Sequence, residues 1–323
     1  MTSPIADDLR RFGPDAPGSS ETLGEADARG YVRGVLRRHQ ENFAVATRLL
    51  PRHLRDDFAA VYGFCRWADD LGDDPALRGR HLDLLAWWRD ELHACFTGEP
   101  RHPVFVALRP TVEKHGLPRR PFDDLIDAFV QDQSVTRYET WDQLLDYCRL
   151  SADPVGRLVL RMWGVRDEAA DALSDATCTA LQLTNFWQDV RRDILECDRV
   201  YLPREIASAH GLDVETLAEL TRRDAAAQAA SGHTLSELLP NFRGAVREAV
   251  GRTWPLFERG RALWPRVPRR QRVDLRLFTL GGEAVLRRIE RRNHDTWTAR
   301  PRVGRWGRAG LVLRAVSGVA AGG

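Results

Sequence analysis

The chain has 323 residues, 43% hydrophobic and 29% charged, with Lys+Arg 48 against Asp+Glu 46 for a net charge of +2. Abundant apolar residues and nearly cancelling charge exclude global disorder, and the length suits one large domain or two small ones. The same balance excludes a polyanion-binding sponge, and with no recognised nucleic-acid module no nucleic acid is expected as a partner.

Residues 1–28 are rich in Pro, Gly, Ser and Asp without period, which predicts a disordered N-terminal arm. Asp7 and Asp8, with no apolar run beside them, argue against a secretory signal. From Arg29 to Val316 the pattern is helical. Leu54, Phe58, Val61, Tyr62, Cys65 and Ala68 recur at steps of three and four, one face of a helix over 54–71. Leu82–Phe96 repeats the style before Gly98–Pro103 breaks it. Helices are predicted over Phe122–Val130, Thr140–Leu150, Val155–Trp163 and Ala169–Val190, with Asp153-Pro154 as a breaker. Tyr201-Leu202-Pro203 ends a tight connection, and helices resume near Val214, Leu235, Val246 and Phe278. No alternating strand pattern and no internal repeat is present, so an all-α, single-domain helical bundle is predicted over 29–297, followed by a basic tail, 298–323.

Five cysteines stand far apart without a CxxC pair, which reads as reduced thiols in a cytoplasmic protein. Only Lys114 among the basic residues is a lysine. Guanidinium groups suit phosphate, although arginine codons in a GC-rich genome give the same composition. His81, His93, His102 and His115 have no ligand spacing and are expected at the surface or in loops. Glu99-Pro-Arg-His102 is a lone Glu-x-x-His where a di-iron bundle site needs two, and there is no GxGxxG after a strand and no GxxxxGK[ST].

Two acidic segments carry the chemistry. In Arg66-Trp-Ala-Asp69-Asp70-Leu-Gly-Asp73, Asp69 and Asp73 are i and i+4, stacked about 5–6 Å apart, and Arg66 shares their stripe. In the second segment, steps of three, four and four place Gln182, Asn185, Asp189 and Asp193 in one polar row flanked by Leu181, Leu183, Phe186, Trp187 and Val190. Carboxylates on an apolar helix are costly to bury uncompensated. Mg²⁺, held by a few carboxylates plus substrate phosphates, would compensate them. Two such rows facing each other would clamp a diphosphate between metal ions, whose charge would offset that of the departing group. Either row alone is also what a solvated helix face looks like.

Around these segments the chain resembles the squalene/phytoene synthase family of trans-isoprenyl diphosphate synthases, over roughly Arg37 to Trp297. The likeness rests on His39-Gln-Glu-Asn42-Phe43, Leu49-Leu-Pro51, Tyr62-Gly-Phe-Cys-Arg66, Gln131 to Tyr138, Tyr147 to Arg157, Gln182 to Asp193 and Arg199-Val-Tyr201-Leu-Pro203. It implies an isoprenoid synthase helical fold around a central cavity. By the same resemblance Asp69, Asp70, Asp73, Asn185, Asp189 and Asp193 are expected to bind Mg²⁺. Asp69, Asp73, Asp189, Asp193 and Tyr201 are the expected catalytic set. Arg66, Asn42, Phe43, Tyr62, Tyr138, Gln182, Asn185 and Arg199 are expected to contact an isoprenoid diphosphate. Ser151 and Pro154 would mark a kinked helix shaping a hydrocarbon tunnel, a place where core packing is an equal reading.

Gln40-Glu41-Asn42, in place of a serine-rich segment, and Pro154 point to the bacterial hydroxysqualene-forming branch. The implied reaction converts presqualene diphosphate and water to hydroxysqualene and diphosphate. The alternatives are head-to-head condensation of two farnesyl diphosphates and a non-catalytic scaffold of the same fold. Tyr62, Phe64, Phe129 and Phe186 could steady a carbocation by about 0.5–2 kcal/mol each, or simply be core. His294 stands where relatives often carry an aromatic residue. Trp297, Trp306, Leu311 and Leu313 interleave with arginines, which suits peripheral attachment to the inner membrane face as well as a frayed terminus. Partner enzymes of the squalene pathway are a further implication of the resemblance.

Overall fold

The computed structural model describes residues 4–16, 23–38, 52–226, 232–302, 304 and 315. Its described elements are helices, and the one β-type pairing among them is an isolated parallel bridge between Arg137 and Val200. The chain divides into two compact units, Met1–Ser134 with Pro154–Arg166, and Val135–Asp153 with Asp167–Gly323. Because the units interleave along the sequence, no linker composition marks a boundary between them.

The first unit holds α1 (Pro4–Phe12), α2 (Glu25–Arg38), α3 (Arg55–Asp73), α4 (His81–Thr97), α5 (Pro103–His115) and α6 (Arg120–Gln131). Helix α3 buries Val61, Phe64, Trp67, Ala68 and Leu71, a face rotated from the expected stripe, of which Leu54, Val61 and Ala68 are buried but Phe58, Tyr62 and Cys65 only half-buried. Trp67 stacks on Trp88 of α4 at 5.3 Å and 9°, and Phe64 meets Phe122 of α6 edge-on at 5.0 Å. Phe64 is therefore core, the second of the two readings its spacing allowed. The expected disordered arm does not describe Pro4–Phe12. That stretch forms a helix with Ile5 buried, Phe12 edge-on to Tyr31 at 5.3 Å, and the Tyr31 hydroxyl donating to Asp8 at 2.8 Å.

His102 is also corrected: it is 2% exposed, ringed by Trp67, Trp87, Trp88 and Phe105. It caps α5, its Nδ1 accepting from the Val104 amide at 3.2 Å, and burial holds it well below the usual imidazole range. A neutral ring both caps and packs, which spacing rules for metal ligands do not register.

The second unit holds α7 (Trp141–Ser151), the long α9 (Glu168–Cys197), α10 (Arg204–Ala209), α11 (Val214–Ala226), α12 (Gly232–Gly260) and α13 (Gln271–Arg291). Helix α8 (Asp153–Met162) begins at the division between the units, with Pro154 in its first turn, where its missing N–H costs nothing. At Gly282 of α13 an added Cβ would lie 2.6 Å from Leu181 Cδ2 of α9 and 2.6 Å from Phe257 Cζ of α12. The absent side chain is what lets α13 approach both. Gly282→Val should therefore lower stability by about 2–3 kcal/mol through overpacking, read as a fall in the thermal midpoint. An unchanged midpoint would show that the three helices can separate without loss.

Trp297, which the membrane reading placed among contact residues, is 1% exposed and its Nε1 donates to Thr221 at 2.8 Å. A ring sealed against Thr221 and Phe242 has no face left for a bilayer. Trp306, Leu311 and Leu313 lie outside the described residues. Among the described residues no helix is long and apolar enough to cross a membrane.

Candidate active site

The first acidic row closes α3. Arg66 donates through Nη1 to Asp69 Oδ2 at 3.0 Å and through Nε to Asp70 Oδ2 at 3.0 Å, with its Nη2 on Asp70 Oδ1 as well. One guanidinium thus serves two carboxylates. Asp69 and Asp73 are half-buried, on the stripe their spacing predicts. Asp74 ends the helix by capping the following turn, accepting from the Ala76 amide at 2.8 Å. Gln133 Nε2 donates to the Gly72 carbonyl at 3.0 Å, tying the end of α3 to the segment after α6. Tyr62, one turn before Arg66, is pushed up to about 12 by burial, with Asp69 and Asp70 adding to the effect.

The second row lies on α9. Asn185 is exposed, Gln182 half-buried, and the Asp189 side chain only 13% exposed. Asp193 is pushed up to about 8 by burial first and by the negative charge of Asp189 second, against the pull of Arg192 and Arg199. Arg192 and Arg199 therefore fall short of offsetting the desolvation of Asp193. After Cys197 the chain turns through Asp198 at φ +53°, and the Arg199 amide donates to the Asp193 carbonyl at 3.1 Å. Residues 200–205 then run beside 136–139: Val200 N donates to Thr136 O at 2.9 Å, and Arg204 N to Tyr138 O at 2.9 Å.

That short pairing sets Tyr201 against Tyr138 at 5.8 Å and 22°. Phe186 stacks on Tyr201 at 3.7 Å and 10°, and Tyr147 joins at 5.8 Å. Phe186 and Asp189 are i and i+3 on α9, so four buried aromatic rings adjoin the carboxylate row. Tyr147 was quoted in a motif but given no role by the sequence, and its place here depends on the chain reversal at Asp198.

Arg300 is the larger omission. Its Nη2 donates to Asp189 Oδ2 at 2.8 Å and its Nε to Asp189 Oδ1, a two-pronged ion pair reaching back from beyond α13. In sequence it is one arginine in a basic tail. His294, whose role the sequence left open, is largely buried in a left-handed backbone conformation at φ +60°, and burial lowers its affinity for a proton. Asn42 and Phe43 lie outside the described residues.

Among the described residues no three acidic, histidine or cysteine side chains converge as a ready-made metal cage. Mg²⁺ does not need one, since one or two carboxylates and phosphate oxygens complete its usual shell. The all-oxygen donor set of Asp189 and Asp193, one turn apart on α9, fits such an ion.

The squalene/phytoene synthase family matches residues 36–307. Hydroxysqualene synthase of Rhodopseudomonas palustris is 42% identical over 182 residues, covering 55% of this chain and 60% of that protein. The chain spans 60–64% of the length of the hydroxysqualene synthases it matches. Phytoene synthase of Thermus thermophilus is 29% identical over 90% of this chain and 93% of that protein. Squalene synthase HpnC from Alicyclobacillus acidocaldarius, a crystal structure, superposes with a TM-score of 0.72 at 40% identity, over 84% of this chain and 95% of that one.

Proposed function

This chain belongs to the squalene/phytoene synthase family, and on that footing we propose that it converts presqualene diphosphate and water to hydroxysqualene and diphosphate, with Mg²⁺. The observation that carries the reading is the placement on α9, where a carboxylate row adjoins four stacked rings. An anionic row answers the need to hold a cation-bound diphosphate, and ring faces answer the need to steady positive charge on carbon. Bound Mg²⁺ would supply Lewis-acid stabilisation of the leaving diphosphate. Each row would hold such an ion by its own carboxylates, Asp69, Asp70 and Asp73 on α3 and Asp189 and Asp193 on α9, and Arg66 keeps Asp69 and Asp70 oriented.

In this reaction the carbon–oxygen bond to diphosphate breaks, and its electron pair leaves with the diphosphate. The cyclopropylcarbinyl cation opens beside Tyr138, Tyr147, Phe186 and Tyr201. Water then forms the new carbon–oxygen bond and gives up a proton to the released diphosphate. The buried rings keep other water away, so capture occurs once. The identity to hydroxysqualene synthases at 40–42% supports water capture over condensation of two farnesyl diphosphates.

Feeding the purified protein presqualene diphosphate or farnesyl diphosphate separately, with Mg²⁺ and without NADPH, separates these reactions. Hydroxysqualene should form from the first alone. A C30 product from farnesyl diphosphate, or none from presqualene diphosphate, overturns the assignment.

A further inference from the structure

The second acidic row carries its own cation. Arg300 engages both oxygens of Asp189, and the neighbouring Pro301 carbonyl accepts from Gln188 Nε2, so residues 300 and 301 lie along one turn of α9. The segment is fixed at its root. Asp295 accepts from the Thr298 amide at 3.0 Å and its hydroxyl at 2.7 Å, and Arg243 pairs with Asp295 at 3.1 Å. Trp297 between them is sealed against Thr221. Only Ala299 separates this anchor from Arg300, so Arg300 is delivered to Asp189 rather than drifting there.

A guanidinium forked over both carboxylate oxygens and a divalent ion bonded at roughly 2.0–2.1 Å to one of them compete for the same charge and the same lone pairs. We propose that Arg300 is an intramolecular counter-ion that holds the second row in its cation-free form, and that a divalent cation binds Asp189 by displacing it. Thr298–Arg302 then acts as a strap that leaves α9 when the cation is bound. This rests on the metal role proposed for Asp189 and extends it to a segment outside the acidic motifs. Two sites competing for one carboxylate are thermodynamically linked, so removing one ligand strengthens the other by the coupling factor, commonly about 5–150-fold.

The test uses the full-length protein and Mn²⁺ as probe. Mn²⁺ affinity is titrated by electron paramagnetic resonance for the wild type, Arg300→Gln and Asp189→Asn. Hydrogen exchange of the peptide covering 296–304 is followed with and without Mn²⁺. Arg300→Gln should bind Mn²⁺ about five- to tenfold more tightly, at the low end of that coupling range. Exchange of 298–302 should rise when Mn²⁺ is added to the wild type. Arg300 is 38% exposed, so its loss leaves the core untouched. Equal or weaker Mn²⁺ binding by Arg300→Gln, or exchange unchanged at saturating Mn²⁺, overturns the counter-ion role while leaving Asp189 as a ligand. Mn²⁺ binding that is the same in Asp189→Asn as in the wild type overturns the metal role and the counter-ion with it.

Discussion

Asp193→Asn should lower turnover of the isoprenoid diphosphate by about 10²–10³-fold while leaving the protein as stable as before or more so. The two effects have opposite signs because one carboxylate causes both. Asp193 is half-buried near Asp189, and Arg192 and Arg199 do not offset its desolvation and the repulsion from Asp189, as its rise to about 8 records. An amide of the same shape removes that repulsion, which adds about 1 kcal/mol of stability, a few degrees in the thermal midpoint. The same amide is a poor ligand for a hard cation, so the leaving diphosphate loses its electrostatic support. Steady-state kinetics and a melting curve on one preparation check both. A large loss of stability would place Asp193 among the structural carboxylates, and unchanged turnover would remove it from the chemistry.

How much of this could be read in the sequence follows from what each feature announces locally. The carboxylate rows were legible because charge on an otherwise apolar helix contradicts its surroundings, and the structure keeps Phe186, Trp187 and Val190 buried around Asp189. Helix α5 was harder, because Gly98–Pro103 reads as an interruption. Pro103 is in fact the first helical residue, capped by His102, and Gly116 at φ +57° closes the helix on its far side. The same residues that break one helix open the next. Helix α1 has nine residues in a stretch rich in turn formers, and its stability comes from Ile5, Asp8 and Phe12 meeting other parts of the chain. Arg300 and Tyr147 were invisible as site residues for a related reason. Neither lies in a periodic pattern with Asp189: Arg300 reaches it only past the turn at Asp295, and Tyr147 meets Phe186 directly and Tyr201 only after the chain turns at Asp198.

Asp57→Ala should destabilise the protein by about 3 kcal/mol, the largest single loss expected away from the candidate site. Asp57 is 1% exposed in the first turn of α3, and accepts from Lys114 Nζ at 2.7 Å, His115 Nε2 at 2.8 Å and Thr111 Oγ1 at 3.2 Å, all on α5. The lone lysine of the chain is used here. Burial alone would push the Asp57 carboxyl up, but the His115 and Lys114 hydrogen bonds and the Lys114 charge outweigh it and hold the group below its ordinary 3.8. A group held lower in the folded state than in the unfolded one stabilises fully above the unfolded value and ceases to do so as pH falls through the folded one. The gap between wild type and Asp57→Asn in urea unfolding should therefore be widest near neutral pH and close in strong acid. A gap that does not change with pH would mean that Asp57 contributes shape and not charge. The consequence reaches the chemistry because Asp57 and Asp69 are twelve residues apart on one helix, about 18 Å of rigid rise. Fixing the first turn of α3 against α5 fixes the direction in which the other end presents Arg66, Asp69 and Asp73.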